Sequence, residues 1–153
     1  MPGDIAVRRM QQGDADAVRS LDGQILEGDR STTWDLLVAR YLEVSDLETL
    51  ILPPWGCHVA ERDGEIIGFI LAERQVPVYG LPVGARIVAI GVHPDSRRLG
   101  IGRQLVDALV EDCRALGIPE VYSVLRTEDV RDTAFLASCG FSESRVRLLS
   151  KDV

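Results

Sequence analysis

The stretch VHPDSRRLGIGRQL, from Val92 to Leu105, gathers Arg97, Arg98 and Arg103 around Gly100 and Gly102. The rest of the chain is acidic: 17 Lys and Arg against 24 Asp and Glu give a formal net charge of −7. A basic cluster in that background needs a local reason. Upstream, ARIVAIGV (Ala85–Val92) is apolar on both faces, as expected of a central strand covered on both sides. Downstream, Gly102, Leu105, Val106, Leu109, Val110 and Cys113 share one helical face, and Arg103, Asp107, Glu111 and Arg114 share the opposite one. Gly117 ends this helix and Pro119 prevents its continuation. The arginines and glycines therefore sit where a buried strand turns into a helix. The first N–H groups of a helix have no internal partners, and the helix dipole is positive there. Two positions without Cβ let a ligand approach the backbone. Guanidinium groups add planar donors that match phosphate. The junction reads as a site for a phosphate-bearing ligand.

Two nucleotide motifs fit poorly. A Walker loop requires Gly-Lys followed by Ser or Thr, which is missing here. A dinucleotide fingerprint requires a third glycine where Leu105 stands, and an acidic residue at the end of the next strand, where Leu125 and Arg126 stand. A net charge of −7 also argues against a general nucleic-acid or membrane-surface binder. No apolar run approaches the roughly 20 residues that span a bilayer. The start, MPGDIAVRRM, lacks the layout of a signal peptide. Cys57, Cys113 and Cys139 are odd in number and widely spaced, which suggests reduced buried thiols rather than disulfides or a metal site. A cytoplasmic location is the expectation.

Elsewhere, Ile5–Met10 reads as a first strand and the segment from Asp14 as a helix with Ala17, Val18, Leu21 and Ile25 on one face. Gly28-Asp29-Arg30 breaks it. Ser31 caps a second helix carrying Trp34, Leu37, Val38, Tyr41 and Leu42. Pro53 to Gly56 is a turn. CHVAER and EIIGFILA flank Asp63-Gly64, a hairpin with a type I′ turn. A polar Glu73-Arg74-Gln75 and a loop with Pro77, Gly80, Pro82 and Gly84 follow. Glu120–Arg126 is a strand, Asp129 caps a helix that Gly140 closes, and Ser144–Val153 is a final strand. The expectation for residues 1–153 is one α/β domain built on a mixed, mostly antiparallel sheet with helices on both faces.

Arg97-x-x-Gly100-x-Gly102 matches the Arg/Gln-x-x-Gly-x-Gly/Ala signature of the GNAT superfamily of N-acetyltransferases. The frame IGVHPDSRRLGIGRQLVDALVEDCRALG resembles that family's strand, loop and long helix. Asp129–Phe141 resembles its later helix, which runs into Gly-Phe. The resemblance covers nearly the whole chain. It implies the GNAT-like acyl-CoA N-acyltransferase fold, acetyl-CoA as cosubstrate, and direct transfer to a primary amine of a small molecule or a protein. It implies that main-chain N–H groups of Arg98, Leu99, Gly100, Ile101, Gly102 and Arg103 cradle a pyrophosphate, with the Arg97, Arg98 and Arg103 side chains as phosphate partners. Pantetheine would lie in a gap beside the signature strand and pair with backbone groups of Ile90 and Val92. An N–H near Ile90 would polarise the thioester carbonyl.

The residues depart from the family pattern at three points. Asp129 stands where many members carry asparagine, so it can accept but not donate a hydrogen bond when ionised. Leu136 stands where many carry the tyrosine that protonates the leaving thiolate. Val124 stands where some protein-acetylating members carry glutamate. Acid and base must come from elsewhere. Glu27, His58, Glu73, Tyr79 and Tyr122 are titratable candidates. Glu73 and Tyr79 rank first, because they flank the loop before the signature strand. His58, between apolar neighbours, reads better as structural than catalytic. Expected partners are acetyl-CoA and an amine acceptor, with no nucleic acid and no membrane; a homodimer stays open. The alternative is a CoA-binding sensor or regulatory domain that has lost transfer activity. An ADP- or NAD-binding domain using the same anion nest is a third reading.

Overall fold

A computed structural model describes residues 3–25, 56–75 and 81–153. The expected second helix with Ser31, Trp34 and Tyr41, together with Glu27, the Pro53–Trp55 part of the turn, and Tyr79, lies outside these residues. In chain order the elements are β1 (Ala6–Arg9), a 3-10 turn at Gln12–Asp14, α1 (Ala15–Ile25), β2 (His58–Arg62) and β3 (Glu65–Gln75). Then come β4 (Gly84–Val92), a 3-10 turn at Pro94–Ser96, α2 (Ile101–Ala115), β5 (Glu120–Ser123) and α3 (Val130–Ser138).

The sheet order follows the sequence, β1-β2-β3-β4-β5. The first three pairings are antiparallel and β4–β5 is parallel. The hairpin forms where Asp63-Gly64 places it, with φ of 54° and 81° at the two turn residues. Alternation along the strands sends side chains to two cores. Ala60, Ile70, Ala72, Ala85 and Ile87 pack on Ile101, Leu105, Val106, Leu109 and Cys113 of α2. Val59, Phe69 and Leu71 pack on Met10 and on Val18 and Leu21 of α1. The mixed, mostly antiparallel sheet with helices on both faces is thus observed.

Five local expectations are corrected. β3 does not stop at Ala72. It continues through Gln75, because Glu73, Arg74 and Gln75 pair with Arg86, Ala85 and Gly84. For the same reason Gly84 belongs to β4 rather than to a loop. β5 ends at Ser123, three residues early, where its pairing with β4 ends. Ser144–Val153 forms no strand, since no neighbouring strand takes up its main-chain groups. The Asp129 carboxylate does not cap α3; it accepts from Arg126 N at 3.3 Å, while the Asp129 carbonyl accepts from Thr133 N at 3.0 Å. A short acidic side chain can close its own turn instead of capping, and here it does.

His58 is structural, as expected. It is buried, its Nδ1 lies 3.0 Å from the Gly56 carbonyl, and its Nε2 lies 3.4 Å from Asp112 Oδ2 on α2. Arg9 holds the other oxygen of that carboxylate at 2.8 Å. The buried Cys113 thiol and the Cys57 thiol, which points at the Ala72 carbonyl, are each pushed up to about 11, chiefly by burial. Neither is poised for chemistry.

Burial holds the His58 imidazole below its ordinary value of 6.5, against the opposing pull of the Gly56 carbonyl and Asp112. The folded state thus favours the neutral ring. Below pH 6.5 the unfolded chain takes the proton first, so stability falls as the pH drops from there towards the folded-state value. Urea unfolding at pH 8 and pH 5.5 should show a smaller acid loss for His58→Gln than for the unmodified chain. Equal losses would remove His58 from the account.

Candidate active site

β4 is paired with β3 along its whole length, from Gln75↔Gly84 to Gly68↔Val92. Its other edge pairs with β5 only from Gly84↔Glu120 to Ile87↔Ser123. From Val88 to Val92 that edge has no strand beside it among the described residues. The parting coincides with a bulge: Ala72 faces Ile87 and Leu71 faces Ala89, so Val88 is the extra residue. Bulges increase local twist and re-aim a strand, and this one lies where β5 is left behind.

A cleft of ≈ 1180 Å³ opens from this gap. Ile90, Gly91 and Val92 line its strand side, Ser96 to Arg98 and Gly100 to Arg103 one wall, and residues of the Glu128–Ser138 segment the other. Its lining carries Arg97, Arg98, Arg103 and Arg131 together with Glu128, Asp129 and Asp132. Such a mixed, concave site suits a polar, extended ligand with an anionic part.

The loop before α2 carries the anion geometry. Arg98 has φ of 65° and Gly100 has φ of 76°, both left-handed. Turns of this kind aim successive N–H groups into one concavity. Gln104 N bonds to the Gly100 carbonyl at 3.0 Å, which starts the helical ladder. The N–H groups of residues 98–103 have no such partner among the described residues. Gly100 is needed for its conformation, since L-residues rarely adopt it. Gly102 has a different reason. A Cβ there would lie 2.9 Å from Phe135 Cζ, so the missing methyl makes room for a ring of α3 rather than for a ligand.

Most of the sequence-assigned residues come together here. Ile90, Val92, Arg97, Arg98, Gly100, Ile101, Gly102, Arg103 and Asp129 all line the cleft. Leu99 does not; its side chain is half exposed, and only its place in the loop links it to the site. Arg97 Nε donates to the Val92 carbonyl at 3.4 Å, tying the loop to the end of β4. Arg103 donates to the Ser138 carbonyl and so joins α2 to the end of α3. Sequence reasoning missed Ile25, Ser96, Arg131 and the cleft role of Phe135. Ser96, buried and accepting from Arg62 at 3.2 Å, carried no motif signal.

Glu73 stands apart from the cleft lining. It pairs with Arg86 at 2.6 Å and accepts from Gln75 Nε2 at 2.5 Å. Arg86 is the cross-strand partner of both Glu73 and Tyr122, so the three form a row across β3, β4 and β5. Burial raises the Tyr122 phenol above its usual value, against the pull of Arg86. Leu136 is buried in the core and offers no titratable group. Among the described residues no group of His, Cys, Asp and Glu could hold a metal ion, and no helix is long and apolar enough to cross a membrane.

Comparison with known proteins bears on the same segments. A family model described as the acetyltransferase (GNAT) family matches residues 24–141. Mycothiol acetyltransferase of Thermomonospora curvata is 29% identical over 110 residues, 69% of this chain and 35% of that protein. Ribosomal protein bS18-alanine N-acetyltransferase of Salmonella typhimurium is 30% identical over 63 residues, 41% of this chain and 43% of that protein. The chain thus spans less than half the length of these curated relatives. The structure of AAC(6')-Iy with the bisubstrate analogue CoA-S-monomethyl-acetylneamine shares the fold, with a TM-score of 0.76 at 23% identity over 98% of this chain and 99% of that one.

The Gly102–Phe135 contact predicts a change of sign. Helix propensity alone would make Gly102→Ala stabilising by about 0.5–1 kcal/mol. We expect it instead to destabilise the folded chain by about 1–3 kcal/mol through crowding of the ring. In a Phe135→Ala background it should turn stabilising. Urea unfolding of the four proteins in this cycle measures the coupling.

Proposed function

The chain belongs to the GNAT family of acetyltransferases, and on that premise we propose that it transfers an acetyl group from acetyl-CoA to a primary amine within a ternary complex. The observation that carries this reading is the run of N–H groups at residues 98–103 without a main-chain partner among the described residues, at one end of the β4–β5 gap. A pyrophosphate satisfies those donors and meets the positive end of α2. Arg97, Arg98 and Arg103 supply neutralising charge. The pantetheine arm then runs along the open edge of β4 beside Ile90 and Val92, where main-chain groups lack a strand partner. Asp129, on the opposite wall, can accept a hydrogen bond from an amide of that arm.

With the thioester held in the gap, the amine attacks its carbonyl carbon. Charge builds on the carbonyl oxygen, and a main-chain N–H near Ile90 stabilises it in this reading. The intermediate collapses to the amide and releases CoA thiolate. The amine proton goes to Glu73 in this reading. Glu73 faces Arg86, four residues before Ile90 and about 13 Å away along the strand. That span takes a water chain rather than direct contact. The leaving thiolate takes its proton from solvent, since Leu136 supplies none. The acceptor is a small-molecule amine or a protein amine.

A second reading, a CoA-binding sensor without transfer activity, is favoured by the burial of Leu136 in the core. Thiol release from acetyl-CoA in the presence of a panel of amines separates the two. Amine-dependent release supports transfer, and tight CoA binding with no release supports the sensor.

Two variants test the assignments. Arg97→Ala with Leu99→Glu should weaken CoA binding in calorimetry at least about tenfold, because it removes one charge and adds a repelling one on the exposed side of the loop, away from the Gly102–Phe135 contact. Glu73→Gln should leave CoA affinity unchanged and lower kcat for acetyl transfer. An unchanged kcat would take Glu73 out of the reaction.

A further inference from the structure

Past the end of β4 the chain leaves the sheet. His93 N still donates to the Ile67 carbonyl of β3 at 2.8 Å, one step beyond the last strand pair, Gly68↔Val92. From Pro94 to Leu99 the main-chain bonds stay local. Ser96 N donates to the His93 carbonyl at 2.8 Å, and Arg97 N donates to the Pro94 carbonyl at 3.5 Å. Asp95 N donates to His93 Nδ1 at 3.2 Å, and the Arg97 side chain reaches back to the Val92 carbonyl. Among the described residues one hydrogen bond comes to this stretch from a different strand. Arg62, the last residue of β2, donates through Nη2 to Ser96 Oγ at 3.2 Å.

Neither partner is spent elsewhere. Arg62 stands between Glu61 and Asp63 in the chain, yet it forms no ion pair among the described residues. Ser96 is 1% exposed, and Arg62 is the hydrogen-bond partner of its hydroxyl. A buried hydroxyl left without a partner is costly, and a charged donor makes the stronger bond. The anchor is itself fixed, because Arg62 pairs with Glu65 across the tight Asp63-Gly64 turn. Two residues beyond Ser96 lies Arg98, with its left-handed φ of 65°. Such a conformation persists where the surroundings over-determine it.

We propose that Arg62 is a positioning residue for the anion-binding loop. Its bond to Ser96 pins the loop to the β2–β3 hairpin and holds the N–H groups of residues 98–103 in the directions that a diphosphate needs. The proposal rests on the reading that these groups take the pyrophosphate of CoA. Ser96 lines the cleft and Arg62 does not, so Arg62 acts through Ser96. Without the bond the loop samples other arrangements, and the apparent affinity falls with the fraction of chains that stay competent.

Calorimetric titration of the full chain with CoA tests this. Arg62→Met keeps the length of the side chain and removes the donor. It should weaken CoA binding about fivefold to tenfold, with the far-UV circular dichroism kept. Ser96→Ala should weaken binding by a similar factor, and adding Arg62→Met to Ser96→Ala should cost nothing more. Unchanged CoA affinity in Arg62→Met would overturn the proposal even if the urea midpoint drops, since Arg62 would then serve stability alone. An equal loss with and without the Ser96 hydroxyl would overturn it too, because the guanidinium would then act on the phosphates by its charge at a distance. An unmodified chain that does not bind CoA would sink both the proposal and the reading beneath it, whereas CoA binding indifferent to Arg62 would sink the proposal alone.

Discussion

The structure turns on one strand that loses a neighbour partway along. Among the described residues β4 is paired with strands on both edges as far as Ile87 and on one edge from Val88 to Val92. Main-chain polar groups enclosed by protein seldom stay without partners. The parting of β5 therefore creates a demand that a ligand with amide groups can meet. The bulge at Val88 re-aims the strand at that point, and the buried Gly91 keeps the strand close to Phe69 and Ile25, whose side chains a Cβ would strike. The gap is thus held open by pairing on one side and by packing beneath it.

The second half of the site depends on how α2 is seated. Its apolar face locks into the sheet through Ile101, Leu105, Val106 and Leu109, all fully buried. That fixes the direction in which its first N–H groups point. Phe135 against Gly102, and Arg103 on the Ser138 carbonyl, fix α3 relative to α2. The two walls of the cleft are therefore set before any ligand arrives, which lowers the ordering cost of binding. The strained left-handed Arg98 belongs to the same arrangement. A non-glycine residue at φ of 65° is held there by its surroundings, and such positions concentrate at functional loops.

Much of this was legible in the residues. The Asp63-Gly64 turn, the doubly apolar Ala85–Val92 strand and the stripe of α2 each carry a local rule, and each formed as read. The arginine and glycine loop was legible because its chemistry is written in adjacent residues. Other features were not, for a common reason. That Gly102 serves Phe135 depends on a contact 33 positions away. The Glu73–Arg86–Tyr122 row exists only because three strands align in register. Ser123 ends β5 because β4 turns away, although the apolar pattern runs on to Leu125. Ser144–Val153 has the composition of a strand but pairs with no edge among the described residues.

By itself, the sequence determined which segments bury one face, where the chain turns, and that a loop of arginines and glycines stands at the head of the longest described helix. These follow from periodicity, from the φ angles that glycine and aspartate permit, and from donors left over at a helix start. Only the tertiary structure decided where β4 and β5 part, which side chains share the opening, and which strand patterns are left without a partner. Pairing is a relation between segments far apart in the chain, and no local propensity contains it.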